Sequence, residues 1–521
     1  MLRISNIKVS VREKDQDLAI KNHLYKIFKY NIDNYIILKK SIDARYGSEK
    51  HFKGVYYIYE VALNINNENK YLKYNNISKY TEEKYELPVL KNKKDKRPIV
   101  IGFGPAGLFC SYLLAKAGLN PIVFERGKTI DERVKDVEDF WNNNKLNLNS
   151  NIQFGEGGAG TFSDGKLNTN IKASLRQKFI LETFIECGAP EEIIYINKPH
   201  IGTDLLRTVI KNMRNKIIEL GGEINYNSTL TDINYENNKI KSIIINNKDE
   251  YETDNLVLAI GHSARDTFKI LNKYLKMEPK PFAVGIRVQH KQSMINKNQY
   301  FLDSRFLPNA DYKLTYQTKE GRGVYSFCMC PGGFVVNSSS EENKVCINGM
   351  SNHDRNEENA NSAIVVSVSP SDFGNNIFDG MKFQQDLENK AFLEGKGFIP
   401  VSLYKDYKLN QISTSFGSIK PLFKGGYNFA NINNIFPDYI NNSLKEAIDY
   451  FNTKIDGFNS DDTIIAAVEA RTSSPIRILR DDNLEANIKG IYPCGEGAGY
   501  AGGITSAAQD GIKVAEMIIN N

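Results

Sequence analysis

A chain of 521 residues is longer than one ordinary domain, and 41% hydrophobic with 25% charged residues is the makeup of a water-soluble globular protein. No run approaches the roughly 18 consecutive apolar residues of a membrane span, and a net charge of +5 is too small for this length to argue for nucleic acid by itself. Six cysteines (Cys110, Cys187, Cys328, Cys330, Cys346 and Cys494) include no CxxC pair, so neither a disulfide framework nor a zinc site is expected, no metal is predicted, and a reducing compartment fits. The opening "MLRISNIKVSVREKD" is too polar and strand-like for a signal peptide, which makes the cytoplasm the expected location.

Residues 1–95 read as a small α+β module with a linker. An alternating strand over residues 2–11 is followed by a helix with Leu18, Ile20, Leu24, Ile27 and Phe28 on one side, then by strands near residues 35–38 and 55–65. The basic run "LKNKKDKRP" reads as a solvated linker. Residues 96–261 change to a strand, glycine turn, helix pattern: "PIVIGFGPAGLFCSYLLAKAGLNPIVFERG" is a complete βαβ unit. A helix over residues 204–220, three strand-like segments and a buried strand ending at Gly261 follow. Residues 262–460 are strand-rich, with "FAVGIRVQH", "GVYSFCMCPGGFVVN", "KVCINGM" and "SAIVVSV" and helices near 384–394 and 442–453. Residues 461–521 open on a helix-like "TIIAAVEA", continue through a loop "RTSSPIR" and a strand "GIYPCGEG", and end in a helix from about Thr505.

Three segments match GxGxxG, and context separates them. Gly102, Gly104 and Gly107 alone lie between an apolar strand and an amphipathic helix, where glycines permit a tight turn and the helix N-terminus faces a pyrophosphate. Glu125 ends the second strand, where a carboxylate accepts from the hydroxyls of an adenosine ribose and disfavours a 2'-phosphate. The match at Gly497, Gly499 and Gly502 is followed by no second βαβ unit. The loop "NIQFGEGGAGTFSDGKLNTN" carries the third match, at Gly155, Gly157 and Gly160, and a partial P-loop. Leu167 follows Lys166 where a P-loop needs a hydroxyl for Mg²⁺, so that reading fails.

"YPCGEGAGYAGGITSAAQDG" resembles the second FAD motif of the glutathione reductase-like superfamily, with Gly495-Glu496 in place of the usual Gly-Asp. "GEGGAGTFSDGKLNTN" resembles the glycine-rich loop that lies along the flavin there. Together with "VIGFGPAG", "AVEARTSSPIR", "SIDARYG" and "SFCMCPGG", these segments resemble the uncharacterised FAD-dependent dehydrogenase family of bacteria over most of the chain. The resemblance implies a Rossmann-like α/β FAD-binding domain in two pieces, 96–261 and 461–521, an inserted strand-rich substrate domain, and the small α+β N-terminal domain. It implies FAD as cofactor, held by Gly102, Gly104, Pro105, Ala106, Gly107, Glu125, Arg126, Gly158, Ala159, Gly160, Thr161, Ser163, Ala259, Gly261, Gly495, Glu496, Gly503, Ile504 and Thr505. Ile260 stands where the family's Ala-Thr-Gly strand end has threonine.

The flavin performs the electron transfer, so the protein has to supply orientation, charge and a proton. Arg471, just before the final FAD strand, is the leading candidate to pair with a substrate carboxylate, with a salt bridge bracing the loop as the alternative. Lys166, among the loop glycines, is the second catalytic candidate. His262 and His353 are weighed as proton donors against structural roles, and Cys328 with Cys330, sharing a strand face, as a redox pair against small hydrophobes. The expected function is hydride transfer between flavin and an unidentified small molecule, anionic if Arg471 recognises it, with an unidentified electron donor or acceptor. A different class is an RNA-associated flavoprotein using the basic N-terminal module, although no aromatic ribonucleoprotein signature or GXXG clamp supports nucleic acid there.

Overall fold

The computed structural model describes residues 1–45, 54–90, 94–168, 174–301 and 306–521. The end of "SIDARYG", residues 91–93 of the basic linker and the last two residues of "NIQFGEGGAGTFSDGKLNTN" lie outside the described residues.

The N-terminal module is an antiparallel sheet of four strands in the order Ile36–Asp43, Tyr56–Leu63, Leu2–Ser10, Ile77–Lys79. Leu2, Ile4, Ile7 and Val9 all face inward because the register slips between Ile4 and Ile7, at a left-handed Asn6. Helix Gln16–Phe28, capped by the Asp15 side chain, covers that face with Ile20, Leu24 and Phe28.

The cofactor half is built on a five-stranded parallel sheet in the order Ile491–Pro493, Leu256–Leu258, Ile99–Ile101, Ile122–Phe124, Glu223–Asn225. Its three central strands are almost wholly apolar and buried, as parallel strands covered on both faces must be. Helices Pro105–Lys116, Thr203–Glu219 and Ile504–Asn520 share one core on one face, with Leu113, Val209, Met213 and Ile512 at its centre. This is the expected Rossmann-like α/β fold. No helix among the described residues is long and apolar enough to cross a membrane.

The strand-rich middle forms a seven-stranded sheet in the order Thr315–Gln317, Gly323–Cys330, Asn359–Val368, Phe282–Lys291, Ile464–Glu469, Ile399–Leu403, Tyr427–Phe429. Helices Asp379–Glu394 and Asp438–Phe451 pack on it. One expectation is corrected here: "TIIAAVEA" is a strand, Ile464–Glu469, not a helix. Its alanines favour a helix locally, but it lies between Phe282–Lys291 and Ile399–Leu403, and every residue of it is buried against strand neighbours. The segment 461–521 therefore contributes to the middle sheet first and returns to the parallel sheet only at Ile491–Pro493. A second correction concerns Cys328 and Cys330. The ladder slips between Phe327 and Cys330 and Cys328 is left-handed at φ +42°, so a bulge rather than a regular pleat sets their positions.

Candidate functional site

The glycine turn divides its work. Gly102 ends the central strand at φ +93°, and a Cβ there would collide with the Ala259 carbonyl. A Cβ at Gly107 would collide with the Gly102 carbonyl, so this glycine lets helix Pro105–Lys116 close onto the strand. Gly104 is different: its nearest neighbour is the Gly158 Cα at 3.6 Å, and the rest of its side-chain space opens on a cavity.

That cavity holds about 380 Å³ and lies outside the carboxyl ends of the parallel strands, the binding position of open α/β sheets. Of the expected residues, Gly102, Gly104, Pro105, Ala106, Glu125, Arg126, Gly158, Ala159, Gly160, Ser163, Ala259, Gly261, Glu496, Gly503 and Ile504 line it, as do Lys166 and Arg471. Gly107, Thr161, Gly495 and Thr505 stand behind the wall. The Thr505 hydroxyl donates to the Leu167 carbonyl at 2.8 Å and the Gly495 amide to Asp510 at 2.8 Å. Thr161 is fully buried, its carbonyl accepting from the Thr203 hydroxyl at 2.7 Å, so it positions the loop rather than touching a cofactor. The Ser163 hydroxyl donates to the Gly160 carbonyl at 2.7 Å.

Glu125 is committed further than expected. One carboxylate oxygen accepts from the Phe103 amide at 2.8 Å, the other from the Gly127 and Gly155 amides at 2.9 Å each. It ties the glycine turn to the glycine loop while presenting a cavity edge. Arg126 donates to Asp266 at 2.7 Å and stacks over Phe154.

Sequence reasoning missed the residue that holds the loop. Arg133, fully buried on helix Ile130–Asn143, donates to five carbonyls of residues 151–158: Asn151, Ile152, Gly155, Glu156 and Gly158, at 2.6–3.2 Å. The readable signal was an arginine on the helix face that also carries Ile130, Val137 and Phe140. Glu156 adds a second anchor, accepting from the Ile130 amide at 2.6 Å and from Arg214 at 3.0 Å.

The far end of the cavity is charged. Lys166 pairs with Asp164 at 2.7 Å and donates to the Met329 carbonyl, and Arg355 donates to Asp164 at 2.9 Å. Burial opposes both charges, but the pairing outweighs it: Asp164 is held well below the carboxylate range and Lys166 is raised. Glu469 accepts from the Arg287 Nε at 3.0 Å, yet burial still pushes its carboxyl upward.

Arg471 is corrected. Its guanidinium donates to Glu388 at 2.8 and 2.9 Å, to the Ser340 and Ser263 hydroxyls at 2.6 and 3.1 Å, and to Glu341 at 3.5 Å. Its donors are spent within the protein, which makes it the brace of its loop and not the grip on a substrate. His262 lines the cavity with Nδ1 at 3.1 Å from Glu496 and a buried, unpartnered Nε2. His353 stacks on His200 and bonds the Ile201 carbonyl at 3.0 Å, a structural position. Among the described residues no group of three His, Cys, Asp or Glu could hold a metal.

The residues present fit FAD. Gly104 leaves side-chain space open at a helix N-terminus suited to a pyrophosphate, Glu125 lies at the end of the second strand, and His262, whose Nε2 is buried without a partner, lines the same cavity. The model of a family described as "FAD-dependent protein, C-terminal domain-like" matches residues 281–472, and that of a domain of unknown function matches residues 1–63. An uncharacterized protein of Clostridium beijerinckii is 46% identical over 534 residues, covering 99% of this chain and 98% of its own. Among solved structures, L-proline dehydrogenase from P. horikoshii aligns over 83% of this chain and 94% of its own at 14% identity and a TM-score of 0.39. CtdE in complex with FAD aligns over 81% and 83% at 12% identity and a TM-score of 0.33. The near full-length relative and the match over the middle sheet establish that the chain belongs to an uncharacterized family of FAD-dependent proteins, with FAD as its cofactor.

Proposed function

We propose that this protein is an FAD-dependent oxidoreductase whose small substrate sits where the cofactor cavity meets the seven-stranded sheet. One observation carries the reading: a single cavity starts at the glycine turn and Glu125 and ends at Lys166, Cys328 and Glu469. On this reading the cofactor domain is discontinuous, with the middle sheet supplying the substrate wall.

When bound, FAD supplies a two-electron acceptor or donor. The chain's own residues supply the rest. Lys166 and Arg355 surround one buried carboxylate, Asp164, leaving one positive charge that favours an anionic substrate. Glu469, raised by burial, is suited to hold a proton at the cavity wall, which His262 also lines. Phe327 and Ile347 keep that wall apolar and limit water. Arg471 and Glu388 fix the loop that follows Glu469.

The test is anaerobic screening of small carboxylates and their uncharged analogues against the oxidised holoprotein, following loss of flavin absorbance. Rapid reduction by a carboxylate, with a slower uncharged analogue, is expected; reduction indifferent to charge would contradict the role given to Lys166. NADH and NADPH belong in the same screen. The five-stranded sheet is the one all-parallel sheet among the described residues, so neither nucleotide is expected to bind tightly and reduce rapidly. Nicotinamide oxidation then needs transient docking or a separate reductase.

A further inference from the structure

We propose that Cys328 and Cys330 form a dithiol–disulfide couple that exchanges an electron pair with the flavin held in the same cavity. The proposal rests on the cofactor reading above and adds a second redox centre to it.

The geometry begins with the bulge. In a regular strand, residues two apart are separated by about 6.6 Å, near the upper end of the span a disulfide bridges. Here the left-handed Cys328 and the slip between Phe327 and Cys330 curl the chain back, and the Cys330 thiol donates to the Cys328 carbonyl at 3.4 Å. Gly349 makes room for it: a Cβ there would come within 2.7 Å of the Cys330 sulfur. Cys328 itself is half-buried and lines the cavity, whereas Cys330 is fully buried behind it.

The charges around the pair suit the chemistry. Lys166 donates to the carbonyl of Met329, the residue between the two cysteines, and Arg287 donates to the Cys328 carbonyl at 3.0 Å. The carboxylates nearby, Asp164 and Glu469, are each paired, with Lys166 and Arg287 respectively. Hydrogen bonding from Cys330, with Lys166 and Arg287 beside it, lowers the Cys328 thiol against the opposing effect of burial, while Cys330 is raised. Cys328 is therefore the thiol that ionises first, with Cys330 holding its proton. Cys346 also lines the cavity, but burial raises its thiol to about 11, the ordinary behaviour of a packed cysteine.

The step balances. A bond forms between the Cys328 and Cys330 sulfurs, the Cys330 S–H bond breaks, and the electron pair and that one proton are taken up by oxidised flavin; the reverse direction restores thiolate and thiol. The cavity would then store a second electron pair between encounters with donor and acceptor.

The test uses the oxidised holoprotein and two readouts besides activity. Anaerobic dithionite titration is expected to consume about two equivalents per bound FAD, one for the flavin and one for the disulfide, against about one in Cys330→Ser and Cys328→Ser with FAD content unchanged. Independently of any variant, alkylation followed by trypsin is expected to leave the peptide of residues 323–344, which holds only these two cysteines, unlabelled before reduction and doubly labelled after it. About one equivalent in the wild type, or double labelling of that peptide before reduction, with FAD bound, would overturn the proposal and leave the cofactor reading intact. Folded protein without flavin would overturn the cofactor reading and this proposal with it.

Discussion

Glu388→Gln is expected to lower the stability of the protein by about 3–5 kcal/mol, the cost of breaking a buried ion pair from one side. Glu388 is fully buried on helix Asp379–Glu394 and accepts from two guanidiniums: Arg471 at 2.8 and 2.9 Å, and Arg265 at 2.9 and 3.0 Å. Arg265 opens the helix that follows the cofactor strand Leu256–Leu258, and Arg471 follows the middle-sheet strand Ile464–Glu469, so one carboxylate joins both halves of the cavity. Without its charge, two buried cations are left with the partly exposed Glu341. Burial pushes the Glu388 carboxyl up, but the two arginines outweigh it and bring it to about 2. A folded value below the unfolded one of about 4.3 means that this stabilisation is fully present above that pH and is lost as the pH falls toward 2. Denaturant unfolding followed through Trp141, the single tryptophan, measures both effects. A wild type and variant that differ by less than about 1 kcal/mol at neutral pH, or that lose stability in parallel under acid, would contradict the role assigned to Glu388.

Arg133→Met is expected to be comparably damaging and to empty the cofactor site. The Asn151, Ile152 and Glu156 carbonyls of the glycine loop lose their donor, while Gly155 and Gly158 keep a backbone amide; each carbonyl left buried without a donor costs about 1–3 kcal/mol, so a loss of at least about 3 kcal/mol is expected. Arg133→Lys is expected to rescue little, because an ammonium lacks the planar fork that reaches five acceptors at once. Burial lowers the Arg133 guanidinium only to about 10, so the charge is retained at neutral pH. The measurement pairs denaturant unfolding with FAD content. Wild-type FAD content in Arg133→Met would remove the claim that this side chain shapes the cavity.

The parts of this architecture that were legible in the sequence are those fixed by near neighbours. The turn at Gly102, Gly104 and Gly107 and the carboxylate at Glu125 lie within one βαβ unit, and that spacing sets Gly102, Gly104 and Glu125 against the same cavity, with Gly107 closing the helix onto the strand behind them. The errors arose where a distant partner decides. Arg471 reads as either a substrate partner or the brace of its loop until Glu388, 83 residues earlier in the chain, is brought against it. "TIIAAVEA" becomes a strand through pairing with Phe282–Lys291, and that misreading hid Glu469, which ends it at the cavity wall. Thr161 and Thr505 carry hydroxyls suited to a flavin, yet neither residue lines the cavity: the Thr505 hydroxyl is spent on the Leu167 carbonyl, and the Thr161 hydroxyl is buried without a partner.

The central claim is that this cavity, entered at Gly104, holds FAD. Gly104 is the residue to test, because the protein tolerates a Cβ there at ordinary contact distance, 3.6 Å from Gly158, while the cavity does not. The measurement is the nucleotide released on denaturing purified wild type and Gly104→Val side by side. About one FAD per chain from the wild type and little from a folded Gly104→Val is the result predicted for a pyrophosphate lying against that turn. FMN or no flavin from well-folded wild type, or undiminished FAD in Gly104→Val, would contradict it.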